Sequence, residues 1–438
     1  MVDKKYLSYD VRMKPIKYFM LYYILTFLIF ITSDLAATLP NTITVIVFVS
    51  FSYISLYFGY WFGVKTKGNN YIIKDQVDKK KLANILILIG AAYYIVWGVN
   101  QMIDFGANSI GNVVANIMNP GESYKNKFDV FESRVLNSSV NRLTQILILL
   151  SFFGSVFVIL FVVYWNKLKL KTKLFGLFAI VIYLASFLYI GTQKGIGDVI
   201  IYIMVGFSLF LASGNKLKRA TRIKIYSFIF AFIFILFIYM IFTQSSRVSE
   251  FGQQTTLLYG DVSNSLMASI FGEQSAIGFY NAISYPSHGY AGLAYNMTQD
   301  FQFSYGAGLS PAFESYRLQF FGGTSNLDLT YPFRTEVATG WPAGMYWATA
   351  FPWFASDLSY FGVILFMFFI GFLFARTWIR AITHVDILSY ALLGQLFILL
   401  LYLPANNQIF MQRQGLWVIL TLLLAALFRE LMKKKYYV

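Results

Sequence analysis

Ten apolar runs, each close to the length that crosses a bilayer, set the terms for this chain. They fall at about 16–33, 41–63, 82–102, 143–165, 174–190, 196–213, 224–243, 359–378, 387–403 and 415–431. A helix crosses the hydrocarbon core with roughly 20 residues, and in lipid every backbone polar group needs an internal partner. The runs are continuous rather than alternating, which argues against an outer-membrane barrel. Only 13% of the 438 residues are charged, about half the roughly 25% of a soluble domain, and mean hydropathy is +0.59. The expected fold is an all-α polytopic membrane protein of about ten spans. The first run is long and lacks an A-x-A cleavage pattern, so it reads as a retained span rather than a signal peptide.

The charges between the runs give an orientation. Lys4, Lys5, Arg12, Lys14 and Lys17 precede the first run, and Lys65, Lys67, Lys74, Lys79, Lys80 and Lys81 follow the second. Lys167 to Lys173, then Lys216, Lys218, Arg219, Arg222 and Lys224, Arg376 with Arg380, and Arg429 with Lys433 to Lys435 continue the series. Together they make 26 of the 35 basic residues, all on one side of an even-numbered topology. The positive-inside rule makes that side the cytoplasm and puts both termini there. The net charge of +15 is therefore an orientation bias, not a nucleic-acid signature. Nine basic residues stay outside: Lys125, Lys127, Arg134, Arg142, Lys194, Arg247, Arg317, Arg334 and Arg413.

This topology divides the chain into three parts. Residues 1–243 hold seven spans and a medium outer segment at 103–142. Residues 244–358 form one large extracytoplasmic segment, and 359–438 hold the last three spans. More than a hundred residues are too many for a structureless loop, and periodic apolar stretches within 244–358 predict short helices lying on the membrane or dipping into it. The inner loops leave no room for a nucleotide-binding module.

The motif search is mostly exclusion. GxxxxGK[ST], HExxH, GxSxG and Asp-x-Asp are absent, and so is cysteine. The two histidines, His288 and His384, fall on opposite sides, so a multi-histidine metal site is excluded and the chemistry is expected to need neither metal nor cofactor. What remains is the stretch 286–362, rich in glycine and aromatics. Its aromatics, Tyr290, Tyr305, Trp341, Trp347 and Trp353 foremost, suit a groove that stacks sugar rings, although an interfacial aromatic belt would use the same residues. Arg317 has Glu314 at i−3, one helix face away, and Arg334, Glu336 and Asp357 sit among apolar neighbours where a charge needs a partner. Lys194, in a tight turn with glycine on both sides, is placed to bind phosphate at a helix N-terminus or to snorkel. Arg247, with Glu250 three residues on, reads as a diphosphate-gripping arginine or as half of an interfacial ion pair.

At these residues a resemblance appears. HGYAGLAYNMTQDFQFSYGAGLSP resembles the Gly-Tyr-x-Gly-Leu … Phe-x-x-Ser-Tyr-Gly-x-Gly segment of bacterial Wzy-type oligosaccharide repeat-unit polymerases, which build O-antigen and capsule. YPFRTEVATGWPAGMYWATAFPWFASDLSYFGV looks like the segment that follows it there, and the span count with one large outer loop fits most of the chain. The resemblance implies a fold like that of the lipid-linked (GT-C type) glycosyltransferases in the bacterial cytoplasmic membrane. It implies transfer of a glycan from undecaprenyl diphosphate onto a new lipid-linked repeat unit, with undecaprenyl-diphosphate-linked oligosaccharides, membrane lipid and a chain-length regulator protein as partners. Related proteins often carry Arg where this chain has Lys194, and the His-Asn motif of the ligases is not evident. Arg317 and Arg334 are the first candidates to stabilise the leaving diphosphate, with Arg247, Lys194 and Arg413 behind them. Glu336, Asp357 and His288 are candidates to orient or deprotonate the acceptor hydroxyl. The rival expectations are a lipid-linked oligosaccharide flippase, an O-antigen ligase-like transferase and a non-catalytic scaffold. Against the flippase stands the near absence of charge inside the spans.

Overall fold

The computed structural model describes residues 7–66, 80–136, 141–213, 219–384 and 386–435. Lys4, Lys5, Lys67, Lys74, Lys79, Lys216 and Lys218 of the orientation argument lie outside these residues. The described residues are helical, with no strand beyond a single bridge between Thr256 and Gly260. The helices are α1 (Tyr9–Ile31), α2 (Asp34–Thr38), α3 (Thr42–Lys65), α4 (Lys80–Asp104), α5 (Ile110–Met118), α6 (Pro120–Leu136), α7 (Arg142–Leu149), α8 (Ser151–Val163), α9 (Leu170–Tyr189) and α10 (Lys194–Ala212). They continue with α11 (Arg219–Phe251), α12 (Leu266–Phe271), α13 (Glu273–Ser284), α14 (Gly289–Asn296), α15 (Pro311–Phe321), α16 (Tyr331–Thr339), α17 (Phe351–His384), α18 (Ile387–Tyr402) and α19 (Arg413–Lys435).

Helix covers every apolar run read from the sequence. Six helices among the described residues, α1, α3, α4, α9, α10 and α17, are long and apolar enough to cross a membrane. The α7–α8 pair makes a seventh if it counts as one span. The differences lie at the ends. The run expected at 143–165 is broken and bends by 54° around Leu150. Helix α11 continues to Phe251, two turns past its expected end, and the medium outer segment holds α5 and α6. Helix α17 begins at Phe351, and Ser359 interrupts it with φ 59° and ψ 165°. Ser359 Oγ accepts a hydrogen bond from Gly362 N, so it caps the long apolar part of that helix.

Side chains cannot separate α3 from α17. A Cβ on Gly59 would strike the backbone of Phe368, one on Gly63 would meet Phe372 O at 2.9 Å, and one on Gly371 would meet Tyr60 N at 2.8 Å. Association in lipid has no hydrophobic drive and rests on close packing through small residues. Gly59 and Gly63, one turn apart, supply it here. Helix α1 closes on this pair and on α18. Tyr22 and Tyr23 donate to Leu401 O and Leu400 O, each at 2.8 Å, satisfying carbonyls in the last turn of α18. Tyr60 donates to Arg12 O at 2.7 Å and Trp378 Nε1 to Val11 O at 3.1 Å.

The seam gives a direct expectation. Gly371→Leu forces the two backbones apart and costs more than the roughly 1–3 kcal/mol of ordinary overpacking. Thermal unfolding of the detergent-purified protein should show little or no folded monomer for this variant. Leu373→Ala, two residues along the same helix with a lipid-facing side chain, should unfold within a few degrees of the parent protein.

Candidate functional site

The stretch 286–362 folds as a cap rooted in the bundle. Helix α14 packs against α1, α3, α16 and α17. Its two glycines explain the Gly-Tyr-x-Gly spacing. A Cβ on Gly289 would meet Thr349 N at 2.8 Å, and one on Gly292 would meet Ala348 Cα at 2.7 Å. Between them Tyr290 is fully buried, its hydroxyl 2.6 Å from Tyr53 Oη and 3.2 Å from Thr26 Oγ1. Tyr290 therefore offers no face to a sugar; it anchors the cap to the bundle.

The Ser-Tyr-Gly-x-Gly segment turns around Asp357. Its Oδ1 accepts from Ser304 Oγ (2.7 Å) and Gly306 N (2.8 Å), and its Oδ2 accepts from Leu309 N (2.8 Å). Gly306 has φ +88° and Tyr305 φ +53°, and a Cβ on Gly308 would crowd Ser304 Oγ and Trp353 O. Thr349 and Ser359 add two more positive-φ residues to the same cap. Strain of this kind persists only where its surroundings over-determine it. Here Thr349 N donates to Ala405 O and Ala350 N to Leu403 O, tying the cap to the turn between α18 and α19.

The two leading arginines both have protein partners. Arg317 grips Glu314 through Nε and Nη2, both at 2.7 Å, and donates to Gly322 O and Thr324 O. Glu314 is itself buried and accepts from Asn326 N. Arg334 donates to Leu329 O and Asp300 O and lies over the Tyr331 ring. Glu336 accepts from Ala343 N at 3.1 Å. His288 accepts from Trp347 N at 3.4 Å and stacks on the Trp347 ring, 5.0 Å between centroids. Burial pulls its imidazole down to about 4, against donation to the carbonyls of Ser284 and Tyr285. Trp341 and Trp353 are buried, whereas Tyr305 is exposed against Phe303. Arg317, Arg334, Glu336, Asp357 and His288 hold the cap together, and none lines the cavities described next.

A cavity of about 480 Å³, its largely apolar wall set with polar side chains, lies between α4, α7–α8, α9, α10, α18 and the turn leading into α19. Lys194 is the one predicted site residue that lines it. Its Nζ bonds Asp198 Oδ2 at 2.6 Å, a pairing one helical turn apart. The other oxygen of Asp198, Gln408 Oε1 and Thr192 Oγ1 are buried without a hydrogen-bond partner in the described chain. Lys127 of α6 reaches the same cavity and the adjoining one of about 430 Å³ below α5 and α6. Burial, then the nearby Arg247, lower the Lys127 ammonium to about 8. The floor is aromatic, with Tyr94 and Tyr183 stacked at 3.9 Å, beside Trp97 and Tyr202. Gln101 accepts from Trp97 Nε1 and Ser186 Oγ, and Gln395 donates to Tyr202 Oη.

Two more predicted cations flank this cavity. Arg247 donates to Gly191 O at 2.7 Å and lies 3.8 Å over the Tyr124 ring. Glu250 instead takes Lys125 at 2.9 Å, so the expected Arg247–Glu250 pair does not form. Arg413 sits between two cavity residues, Gln412 and Gln414, over the Tyr316 ring, and donates to Ser315 Oγ and to Gln145 Oε1. Sequence reasoning missed Asp198, Gln395, Gln408 and the Asn100-Gln101-x-x-Asp104 cluster. The available signal was polar side chains at helical spacing from Lys194, near the ends of apolar runs, or, for Gln395, in the middle of one.

Compared with known protein families, curated proteins and solved structures, the chain matches none.

Two outcomes are expected for the cap. His288 is held neutral, so its contribution to stability is present above its unfolded value near 6.5 and is lost as pH falls toward 4. Thermal unfolding of the protein should drop through that window, and His288→Gln should flatten the drop. Asp357→Ala leaves three donors without their acceptor, at roughly 1.5–3 kcal/mol for a bond to a charged group. Protease should then cut within 300–310 at least tenfold faster than in the parent protein, and Asp357→Asn should fall between the two.

Proposed function

We propose that the chain is a polysaccharide polymerase of the lipid-linked type, with ten spans and both termini in the cytoplasm. It moves a glycan from undecaprenyl diphosphate onto a lipid-linked oligosaccharide at the outer face of the cytoplasmic membrane. The observation that carries this reading is the 480 Å³ cavity, whose volume suits a sugar and a diphosphate headgroup. Its aromatic floor offers rings to stack on sugars, and Lys127, Lys194, Arg247 and Arg413 are ranged in and around it. The turn at 404–412 joins it to the cap, since Asn407 Nδ2 donates to Leu309 O and Ser310 Oγ to Phe410 O.

In the reaction, an acceptor hydroxyl attacks C1 of the donor glycan as the C1–O bond to the diphosphate breaks. The leaving diphosphate gains charge, and preorganised cations stabilise it. Lys127 and Lys194 fit that role, ahead of Arg317 and Arg334, because they line the cavity and the two arginines do not. For the hydroxyl proton, Asp357 and His288 are engaged by backbone and loop donors. Glu336, the third candidate, likewise accepts from Ala343 N outside the cavity, whereas Asp198 lines it with one oxygen that has no hydrogen-bond partner among the described residues.

The flippase reading gains one observation of its own. A broken helix lining a cavity inside the bundle is also how transporters build substrate sites, and Asp198 weakens the argument from charge-free spans.

Purified protein supplied with lipid-linked repeat units, without nucleotide, should yield a polymer ladder on a gel; transbilayer movement of the substrate with no ladder would favour the flippase. Lys194→Met with Asp198→Asn, which removes both charges of the pair, and Lys127→Met should each cut polymer at least tenfold while the protein still purifies folded. Full ladders from both variants overturn the assignment of the cavity. The Lys127 ammonium carries its charge below about 8 and loses it as pH rises toward 10. Headgroup affinity should therefore fall from pH 8 to 10, and Lys127→Met should remove that dependence.

A further inference from the structure

Helix α5 has two unlike faces. It carries no charged residue, and helical spacing puts Ile110, Val114 and Met118 on one side and Asn112 and Asn116 on the other. The amide side is engaged. Asn112 Oδ1 accepts from Tyr189 Oη and Asn116 Oδ1 from Ser123 Oγ, both at 3.2 Å, and both asparagines line the 430 Å³ cavity. The apolar side is bare: Ile110, Val114 and Met118 are 85%, 54% and 66% exposed.

Two features say what covers it. The first is level. Between Lys81 and Asp104, helix α4 has 22 residues without a charge, about 33 Å at 1.5 Å per residue, which is the thickness of a hydrocarbon core. Asp104 therefore marks the water boundary at that end, and α5 begins at Ile110. Tyr189, the last residue of α9, donates to Phe105 O as well as to Asn112, so α5 sits where two spanning helices end together. The second is continuity. Ile85, Val96, Val99 and Ile103 make one exposed stripe along α4, the flank that a spanning helix turns to lipid, and it runs to the last turn before α5. On α9 the exposed stripe of Leu170, Leu174, Phe178 and Val181 stops early. Ala185 and Leu188, next in its spacing, are half-buried, and α5 packs on this helix. Helix α5 thus lies against a lipid-facing flank and offers an apolar face of its own.

We propose that α5 is an interfacial helix, with Ile110, Val114 and Met118 among the acyl chains of the leaflet at that end of the bundle. Such helices are held by the apolar area they bury at the boundary between headgroups and acyl chains. The arrangement puts acyl chains and the 430 Å³ cavity on opposite sides of one helix, roughly 10 Å across. That cavity shares Phe105, Lys127 and Ile190 with the 480 Å³ one, so an amphiphile with its chain in the leaflet has its headgroup one helix width from both. The placement of α5 depends neither on the reaction proposed above nor on which end of the bundle faces the cytoplasm.

The chain has no cysteine, so Val114→Cys or Met118→Cys takes a single nitroxide label at an exposed position. The full-length protein is reconstituted in vesicles of phosphatidylcholine and phosphatidylglycerol. Relaxation of the label by oxygen, which concentrates in lipid, is compared with relaxation by a water-soluble nickel chelate. Val96→Cys on the α4 stripe gives the lipid reference and Asp328→Cys, at an exposed charged position of the cap, the water reference. The oxygen-to-nickel ratio at Val114 and Met118 should exceed that at Asp328 by about threefold or more and approach that at Val96. A ratio equal to that at Asp328 leaves α5 in water and overturns the proposal. Labels reached by neither agent are covered by protein, which overturns lipid as the occupant in favour of a second copy of the chain.

Discussion

The backbone contact between α3 and α17 carries the rest of the structure. Where lipid surrounds the helices, leucine gains little by meeting leucine, and two helices stay together only if they fit closely. Gly59, Gly63 and Gly371 bring the main chains together. That fixes the first turns of α17, whose Ser356 and Asp357 then organise the cap. Ser356 Oγ accepts from Tyr331 N and Ser356 O from Ser304 N, so two stretches of the cap start from one turn of one helix. Tyr290 completes the arrangement from the other direction by inserting against α1 and α3.

The cap and the polar cavity are thus separate constructions that share one turn, at 404–412. The cap spends its charged side chains on itself. Arg317, Arg334 and Asp357 each bond backbone groups of loops that have no regular structure to satisfy them, as buried polar groups require. The cavity does the reverse. It leaves Asp198 Oδ1, Gln408 Oε1 and Thr192 Oγ1 buried and without a hydrogen-bond partner among the described residues, where a lone polar atom is costly.

The helices were legible because the constraint that makes them is written along the chain. A bilayer demands about twenty apolar residues at a time, and every such run is covered by helix. The caps and breaks were less so. The bend at Leu150 falls inside an unbroken apolar run, and no proline or glycine marks the residue itself. The glycines of HGYAGL and SYGAGL could be seen as special, but not that Gly289 and Gly292 serve close packing while Gly306 serves a turn. Single charges in an aromatic loop looked like chemistry; Glu314 beside Arg317 was visible at i−3, but the backbone carbonyls that complete its partners and supply those of Arg334 are displayed by no sequence. The cavity stayed hidden for the complementary reason: Asn100, Lys194, Gln395 and Gln408 come from four distant parts of the chain, and each alone reads as a tolerated polar residue near a membrane.

The tie between Tyr22 and Tyr23 of α1 and the last turn of α18 has a consequence for synthesis. The first helix leaves the ribosome almost four hundred residues before the carbonyls its tyrosines will bond. Helix α14 likewise waits for residues 347–349 and for the turn at 404–405 before Gly289 and Gly292 have a surface to meet. The cap therefore reaches its final form only once the final third of the chain is in place. Until then a long, aromatic segment has to be carried in an unfinished state, with its own glycines and strained turns unsupported. A chain stopped before α18 would hold most of its spanning helices and the Tyr290 and Asp357 anchors of the cap, but not the turn at 403–405 that Thr349 and Ala350 bond.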